Sequence, residues 1–194
     1  MKQILIIHGG DSFDSHRAYL ENLKNTSLDY DRIKYSRSWK DTIFEAYDHS
    51  ADVLTPTMPN SANAQYEEWK IWFEKIIPYL GNDVYLVGHS LGAMFLAKYL
   101  HESPLTNPVK KLILIAAGYN ETVDGYGSFE VQSAKGVERS AKETHLFHSR
   151  DDVVVPFEAL AKYARDIPSA QVHEFDNRNH FFDTEFPELI ALLK

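Results

Sequence analysis

Residues 82–100 read Asn-Asp-Val-Tyr-Leu-Val-Gly-His-Ser-Leu-Gly-Ala-Met-Phe-Leu-Ala-Lys-Tyr-Leu, and no other stretch restricts the possible folds as strongly. The β-branched and aromatic run from Val84 to Val87 predicts a buried strand. From Leu91 to Leu100 the apolar residues recur at helical spacing. The five residues where the two meet, Gly88-His-Ser-Leu-Gly92, fit G-x-S-x-G, a turn that thrusts a serine out between a strand and a helix. A chance match to this pattern in a chain of this length has a probability of roughly 5%, so the strand before it and the helix after it are what give it weight.

The residue types have physical reasons. Ser90 at the tip of such a turn must take a strained backbone conformation, and its neighbours two positions away approach other backbone so closely that a Cβ would collide, which Gly88 and Gly92 avoid. The N–H of Leu91 opens the helix unpaired, at the positive end of the dipole, and is placed to donate to a developing oxyanion.

Apolar runs with β character recur along the chain at Gln3–Ile7, Ala51–Thr55, Val109–Ala117, Thr144–Phe147 and Ala170–Phe175. Between them, helical spacing is legible over residues 16–26 (Tyr19, Leu20, Leu23), 39–47 (Ile43, Phe44, Tyr47), 66–77 (Trp69, Trp72, Phe73, Ile76), 156–166 and 186–193. Asn60, Ser61 or Asn63 is expected to cap the third of these. Strands alternating with helices predict an α/β fold, a mostly parallel sheet covered on both faces. With no internal repeat and no linker, residues 1–194 are read as one domain. Residues 118–142, with Gly118, Gly125, Gly127 and Gly136, form the longest irregular segment.

A serine hydroxyl needs a base within reach, itself held by a carboxylate, and in strand-turn-helix hydrolases these follow in the order Ser, Asp or Glu, His. The sequence His148-Ser-Arg-Asp-Asp-Val-Val-Val-Pro156 follows a predicted strand and offers Asp152, with Asp151 as the competitor; Asn177-Arg-Asn-His180 follows the last strand and offers His180. The loop after the first strand, His8-Gly9-Gly10, supplies the second oxyanion donor from Gly10, or alternatively Asp11. His8 itself reads as a residue that holds this loop, and His49, His89, His101, His145, His148 and His173 read as structural or surface residues. A metal site from His8, Asp11 and His16 matches no established ligand spacing.

These residues resemble the α/β-hydrolase superfamily and, within it, the small serine hydrolases related to retinoblastoma-binding protein 9. The resemblance spans nearly the whole chain and rests on His8-Gly9-Gly10, Met58-Pro59, Gly88 to Gly92, the Asp151-Asp152 loop and His180-Phe-Phe-Asp-Thr-Glu-Phe186. It implies an α/β-hydrolase fold with a minimal cap or none, and a triad of Ser90, Asp152 and His180. Two features depart from it: Asn179 stands where such enzymes often carry glycine, and the segment between residues 25 and 50 is longer than in the smallest members. Without cysteine no L-x-C-x-E motif exists, so binding of pocket proteins is not implied.

The expected activity is cleavage of small carboxylic esters, with thioesters and amides within the same chemistry, through an acyl-enzyme and without cofactor or metal. The alternative is a catalytically inactive binding module on the same scaffold. Met58, Tyr119, Tyr126 and Phe129 are candidates to line an apolar acyl site, or else to pack in the core. A net charge of −8 with no basic stripe argues against nucleic acid. No apolar run reaches the ~18 residues of a membrane span, and the N-terminus lacks the pattern of a signal peptide, so a cytoplasmic protein is expected. The oligomeric state is open.

Overall fold

The computed structural model describes residues 1–30, 33–120 and 126–194; Gly125, one of the glycines of the long irregular segment, lies outside them. Six strands build the sheet: β1 (Lys2–Ile7), β2 (Ala51–Leu54), β3 (Val84–His89), β4 (Val109–Ile115), β5 (Ala141–Ser149) and β6 (Gln171–Phe175). Their order is β2-β1-β3-β4-β5-β6, and each neighbouring pair is parallel. The order reverses at β1, so successive connections run outward in opposite directions and cover opposite faces.

The helices are α1 (His16–Asn25), α2 (Trp39–Tyr47), α3 (Tyr66–Ile76), α4 (Leu91–Glu102), α5 (Glu158–Asp166) and α6 (Pro187–Leu192). Strands buried on both faces need apolar residues in both phases of their alternation, and these have them. Leu5, Ile7, Leu86, Leu112 and Leu114 point into a core shared with Trp69, Phe73, Phe95 and Leu160 on α3, α4 and α5. Ile4, Ile6, Val87, Ile113 and Ile115 point into a second core with Trp39 and Ile43 of α2 and with Phe186, Leu189 and Leu193 at the C-terminus.

The strands and helices fall where the sequence pattern put them, with β5 starting three residues earlier than expected. Helix α1 forms as its spacing predicts, although none of its residues is buried and Leu20 and Leu23 are 41% and 49% exposed. One local reading is corrected. Helix α3 is not capped by Asn60, Ser61 or Asn63; its first N–H, on Tyr66, donates to Ser128 Oγ at 2.9 Å, from the segment after β4. The Asn60–Asn63 turn instead braces the loop after β1, where Ser61 O accepts from Asp11 N–H at 2.8 Å.

Among the described residues no helix is long and apolar enough to cross a membrane, and no group of three or more His, Cys, Asp or Glu side chains is arranged to hold a metal ion.

Candidate active site

The carboxyl ends of β1, β3, β5 and β6 converge on one rim. Ser90 sits there at φ 54° and ψ −124°, between β3 and the fully buried first turns of α4. Positive φ in a residue with a Cβ is uncommon and persists only where the surroundings enforce it. Here they do: Ser90 N–H donates to Ile115 O at 2.9 Å, and Ser90 O accepts from Ala93 and Met94 N–H as the helix begins. A Cβ on Gly88 would lie 2.6 Å from Ala93 Cα, and one on Gly92 would lie 2.3 Å from Ile7 O, so both glycines are needed for β1, β3 and α4 to approach. Ser90 remains partly exposed while His89 and Leu91 beside it are buried.

His180 lies in the loop after β6 and is 3% exposed. Its Nδ1 is 2.8 Å from Oδ2 and 3.1 Å from Oδ1 of Asp152. A carboxylate only accepts, so Nδ1 carries the proton and Nε2 is left as the basic nitrogen. Asp152 has a side chain 0% exposed; its Oδ1 also accepts from the N–H groups of Val154 and Val155 at 2.8 and 2.9 Å. Burial by itself raises the Asp152 carboxyl, but the hydrogen bond from His180 and those from the Val155 and Val154 backbone outweigh it and hold the group below the usual carboxylate range. Of the two adjacent acids, then, Asp152 meets the imidazole.

Asp151 has a different task. Its Oδ1 accepts from Asn179 N–H at 2.8 Å and from Ser149 Oγ at 2.5 Å, and Ser149 Oγ in turn accepts from Arg178 N–H at 3.0 Å. The hydroxyl of Ser149 and the N–H of Asn179 hold the Asp151 carboxyl below its ordinary value. Asp151 thereby ties the loop before His180 to the end of β5. Asn179 has φ 46°, which explains why a residue tolerant of the left-handed region stands there, and its Oδ1 accepts the N–H of His180 at 2.7 Å.

Two ring nitrogens hold the same loop from below. His89 Nε2 lies 2.9 Å from His180 O, and Trp39 Nε1 lies 3.1 Å from Phe181 O. Burial, with the nearby His180 as the next cause, pushes His89 down to about 3, so it is neutral and its Nε2–H donates to the carbonyl. Neither His89 nor Trp39 was singled out by the sequence as part of the site. The position of His89 beside the serine is the one signal that was available. Among the described residues no hydrogen bond joins Ser90 Oγ to the His180 ring.

The loop after β1 completes the rim. His8 Nε2 accepts from Met58 N–H at 2.9 Å, which puts the proton on Nδ1, and that N–H donates to Gly9 O at 2.6 Å. His8 thus joins the loops after β1 and β2. A Cβ on Gly10 would sit 2.4 Å from Ser61 O. Of the two candidates for the second oxyanion donor, Asp11 has its N–H taken by that same carbonyl, which favours Gly10.

A cavity of about 500 Å3 opens at Ser90, with Gly10, Leu91, Met94, Phe13, Asn22 and Tyr126 among its lining residues. Of the four candidate acyl-site residues, only Tyr126 lines it. Tyr119 is core, its hydroxyl donating to Asp166 at 2.5 Å and its ring packed on Tyr163. Phe129 is core too, wedged against Trp69 and Tyr66. Met58 is buried and borders a separate cleft over Thr57, Asn60 and Gln65 that does not reach Ser90.

A wholly parallel sheet with a strained serine between β3 and α4, and a carboxylate-held histidine at the same rim, defines an α/β-hydrolase. The model of the serine hydrolase family matches residues 34–186, a span that includes Ser90, Asp152 and His180, and the chain belongs to that family. It is 30% identical over 147 residues to serine hydrolase RBBP9 of Rattus norvegicus, covering 73% of this chain and 75% of the relative. It is 29% identical over 143 residues to the putative hydrolase YdeN of Bacillus subtilis (strain 168), covering 70% of this chain and 72% of that one. Among solved structures, the ydeN gene product of B. subtilis superimposes with a TM-score of 0.76 at 22% identity, covering 100% of this chain and 97% of that chain. Est1E from Butyrivibrio proteoclasticus with bound ferulic acid superimposes with a TM-score of 0.62 at 14% identity, covering 100% and 87%, and shares the fold.

Proposed function

We propose that this hydrolase cleaves small carboxylic esters through an acyl-enzyme on Ser90, with His180 as base and Asp152 as its orienting carboxylate; thioesters and amides fall within the same chemistry. The observation that carries the reading is the buried 2.8 Å contact between His180 Nδ1 and Asp152 at the strand ends where Ser90 is held at positive φ. A carboxylate in that position fixes the tautomer that leaves Nε2 free to accept a proton, and it stabilises the imidazolium that results.

Ser90 Oγ attacks the ester carbonyl as its proton passes to His180 Nε2. The tetrahedral oxyanion is held by the N–H groups of Leu91 and Gly10. His180 then protonates the departing alcohol, and afterwards takes a proton from water as it attacks the acyl-enzyme, releasing the acid and restoring Ser90. Hydrogen bonds between a nucleophile and its base are often long without substrate and tighten in the complex.

A fluorophosphonate probe tests this reading. Ser90 of the wild-type chain is expected to be labelled, Ser90→Ala is not, and a panel of short acyl esters is expected to be turned over by the first alone. An unlabelled Ser90 and no turnover would support the other reading of the scaffold, a catalytically inactive binding module.

A further inference from the structure

Phe182 is out of place for a phenylalanine. Its neighbours in the loop, Phe181 and Phe186, are 2% and 1% exposed and stack on each other at 5.1 Å, while Phe182 is 67% exposed. Its ring lies 5.2 Å from that of His180, tilted by 58°, and among the described residues His180 is its one aromatic neighbour. A ring left in water beside a histidine otherwise buried contributes little to the core and much to whatever arrives at that histidine.

What arrives there follows from the proton path, and so rests on the function proposed above. With Nδ1 committed to Asp152, His180 can hand a proton on only from Nε2, and the atom that receives it is the leaving oxygen of the tetrahedral intermediate. Proton transfer requires that oxygen to come within about 3 Å of Nε2. The group attached to it therefore emerges beside the His180 ring. The acyl group has other space: the cavity at Ser90 is bounded by Gly10, Leu91 and Met94, and neither His180 nor Phe182 lines it. On the loop that carries Asp152, Val153 is exposed as well, so Val153, one position after the carboxylate, and Phe182, two after the imidazole, both present apolar surface outward.

We propose that Phe182 is a specificity residue for the leaving group, and that the site favours esters of apolar or aromatic alcohols whose departing group packs on its ring. The covalent step is unchanged: the C–O bond to the alcohol breaks, the electron pair leaves with the oxygen, and the proton on His180 Nε2 goes to that oxygen. Phe182 acts on the substrate by contact and takes no part in the transfer.

The test uses the full chain and esters of one acyl group, butyryl, with ethanol, cyclohexylmethanol, benzyl alcohol and 2-naphthylmethanol, whose oxygens have comparable basicity. In the wild type, kcat/KM is expected to rise along this series. In Phe182→Ala the benzyl-to-ethyl ratio of kcat/KM is expected to fall by about three- to tenfold, the value of one aromatic contact, and Phe182→Tyr is expected to restore it. A loss equal across the series would mean that the ring only shields His180 from water; that result, or an unchanged ratio, overturns the proposal while Ser90 still reacts with the fluorophosphonate probe. Absence of turnover for every ester overturns it as well, and an unlabelled Ser90 would then show that the catalytic reading has failed with it.

Discussion

His89 Nε2 lies 2.9 Å from the carbonyl oxygen of His180, so the residue preceding the serine supports the loop that carries the imidazole. Removing the donor leaves a buried carbonyl without a partner, a cost of about 1–3 kcal/mol, and frees the loop to drift. His89→Ala is expected to lower the rate of Ser90 labelling at least tenfold, with His89→Gln, which keeps an N–H donor, losing less. Equal loss in both variants would show that the ring is needed for its volume alone.

Asp151 and Asp152 divide the work of one acidic pair, and their asparagine variants are expected to separate. Asp152→Asn no longer enforces the tautomer with Nδ1 protonated, and is expected to lose roughly three to four orders of magnitude in kcat. Asp151→Asn leaves the imidazole its carboxylate but weakens the anchor of Asn179 and Ser149, for an expected loss of roughly ten- to a hundredfold through misplacement. Steady-state kinetics on one butyryl ester decides; the reverse ranking would reassign the orienting carboxylate.

Position 179 distinguishes conformation from hydrogen bonding. Asn179→Gly keeps the φ of 46° without strain and loses only the acceptor for His180 N–H, whereas Asn179→Val forces a β-branched residue into that region at about 1–3 kcal/mol. Thermal melts are expected to place Val well below Gly, with Gly close to wild type.

Stability is expected to weaken on acidification before the aspartates that the fold holds low begin to titrate. His89 is pushed down to about 3 by burial. His145 and His173, whose rings lie 5.3 Å apart with Nδ1 of the first 3.0 Å from Nε2 of the second, are lowered chiefly by burial. A histidine kept neutral by the fold binds its proton more readily when unfolded. Its contribution is therefore complete above the unfolded value near 6.5 and is lost as pH falls from there toward the folded value, at roughly 1.4 kcal/mol per pH unit for a fully neutral group. Asp151, Asp152 and Asp166 are held low, so their contribution is lost only below about pH 4. Urea melts between pH 4.5 and 7 read the histidines, and His173→Gln is expected to flatten the slope; an unchanged slope would acquit the His145–His173 pair.

Gly92→Ala tests the approach of β1 to α4. Its Cβ would meet Ile7 O at 2.3 Å and His8 O at 2.5 Å, both rigid backbone. A destabilisation of about 1–3 kcal/mol is expected from overpacking, together with a fall in acylation rate because the same shift moves Gly10 away from Leu91. A stable variant with full activity would show that the glycine is dispensable.

The central strands β1, β3 and β4 could be read from the sequence because residues buried on both faces leave long apolar runs, and the candidate site because Ser90, Asp152 and His180 each follow a predicted strand. What could not be read depends on contacts without a period. Tyr119 and Phe129 have the composition of a binding wall and the burial of a core; aromatic content does not say which void a ring fills. The exposed stripe of α1 carries the same spacing as a packed one. Trp39, 142 residues from the carbonyl it holds, leaves no local trace of that bond, and the same is true of His89 and Asp151.

The described non-glycine residues with positive φ are Asn60, Ser90, Ala116, Asn179 and Phe181, and all of them lie in segments that leave the carboxyl end of a strand, Ser90 and Ala116 directly after β3 and β4. Conformational tension is thus segregated from the opposite side, where the chain is relaxed. Selection for heat tolerance that simply rewards relaxed backbone would act first on this tense rim and blunt the chemistry it supports, so hardening of this scaffold without loss of function has to begin at its far end.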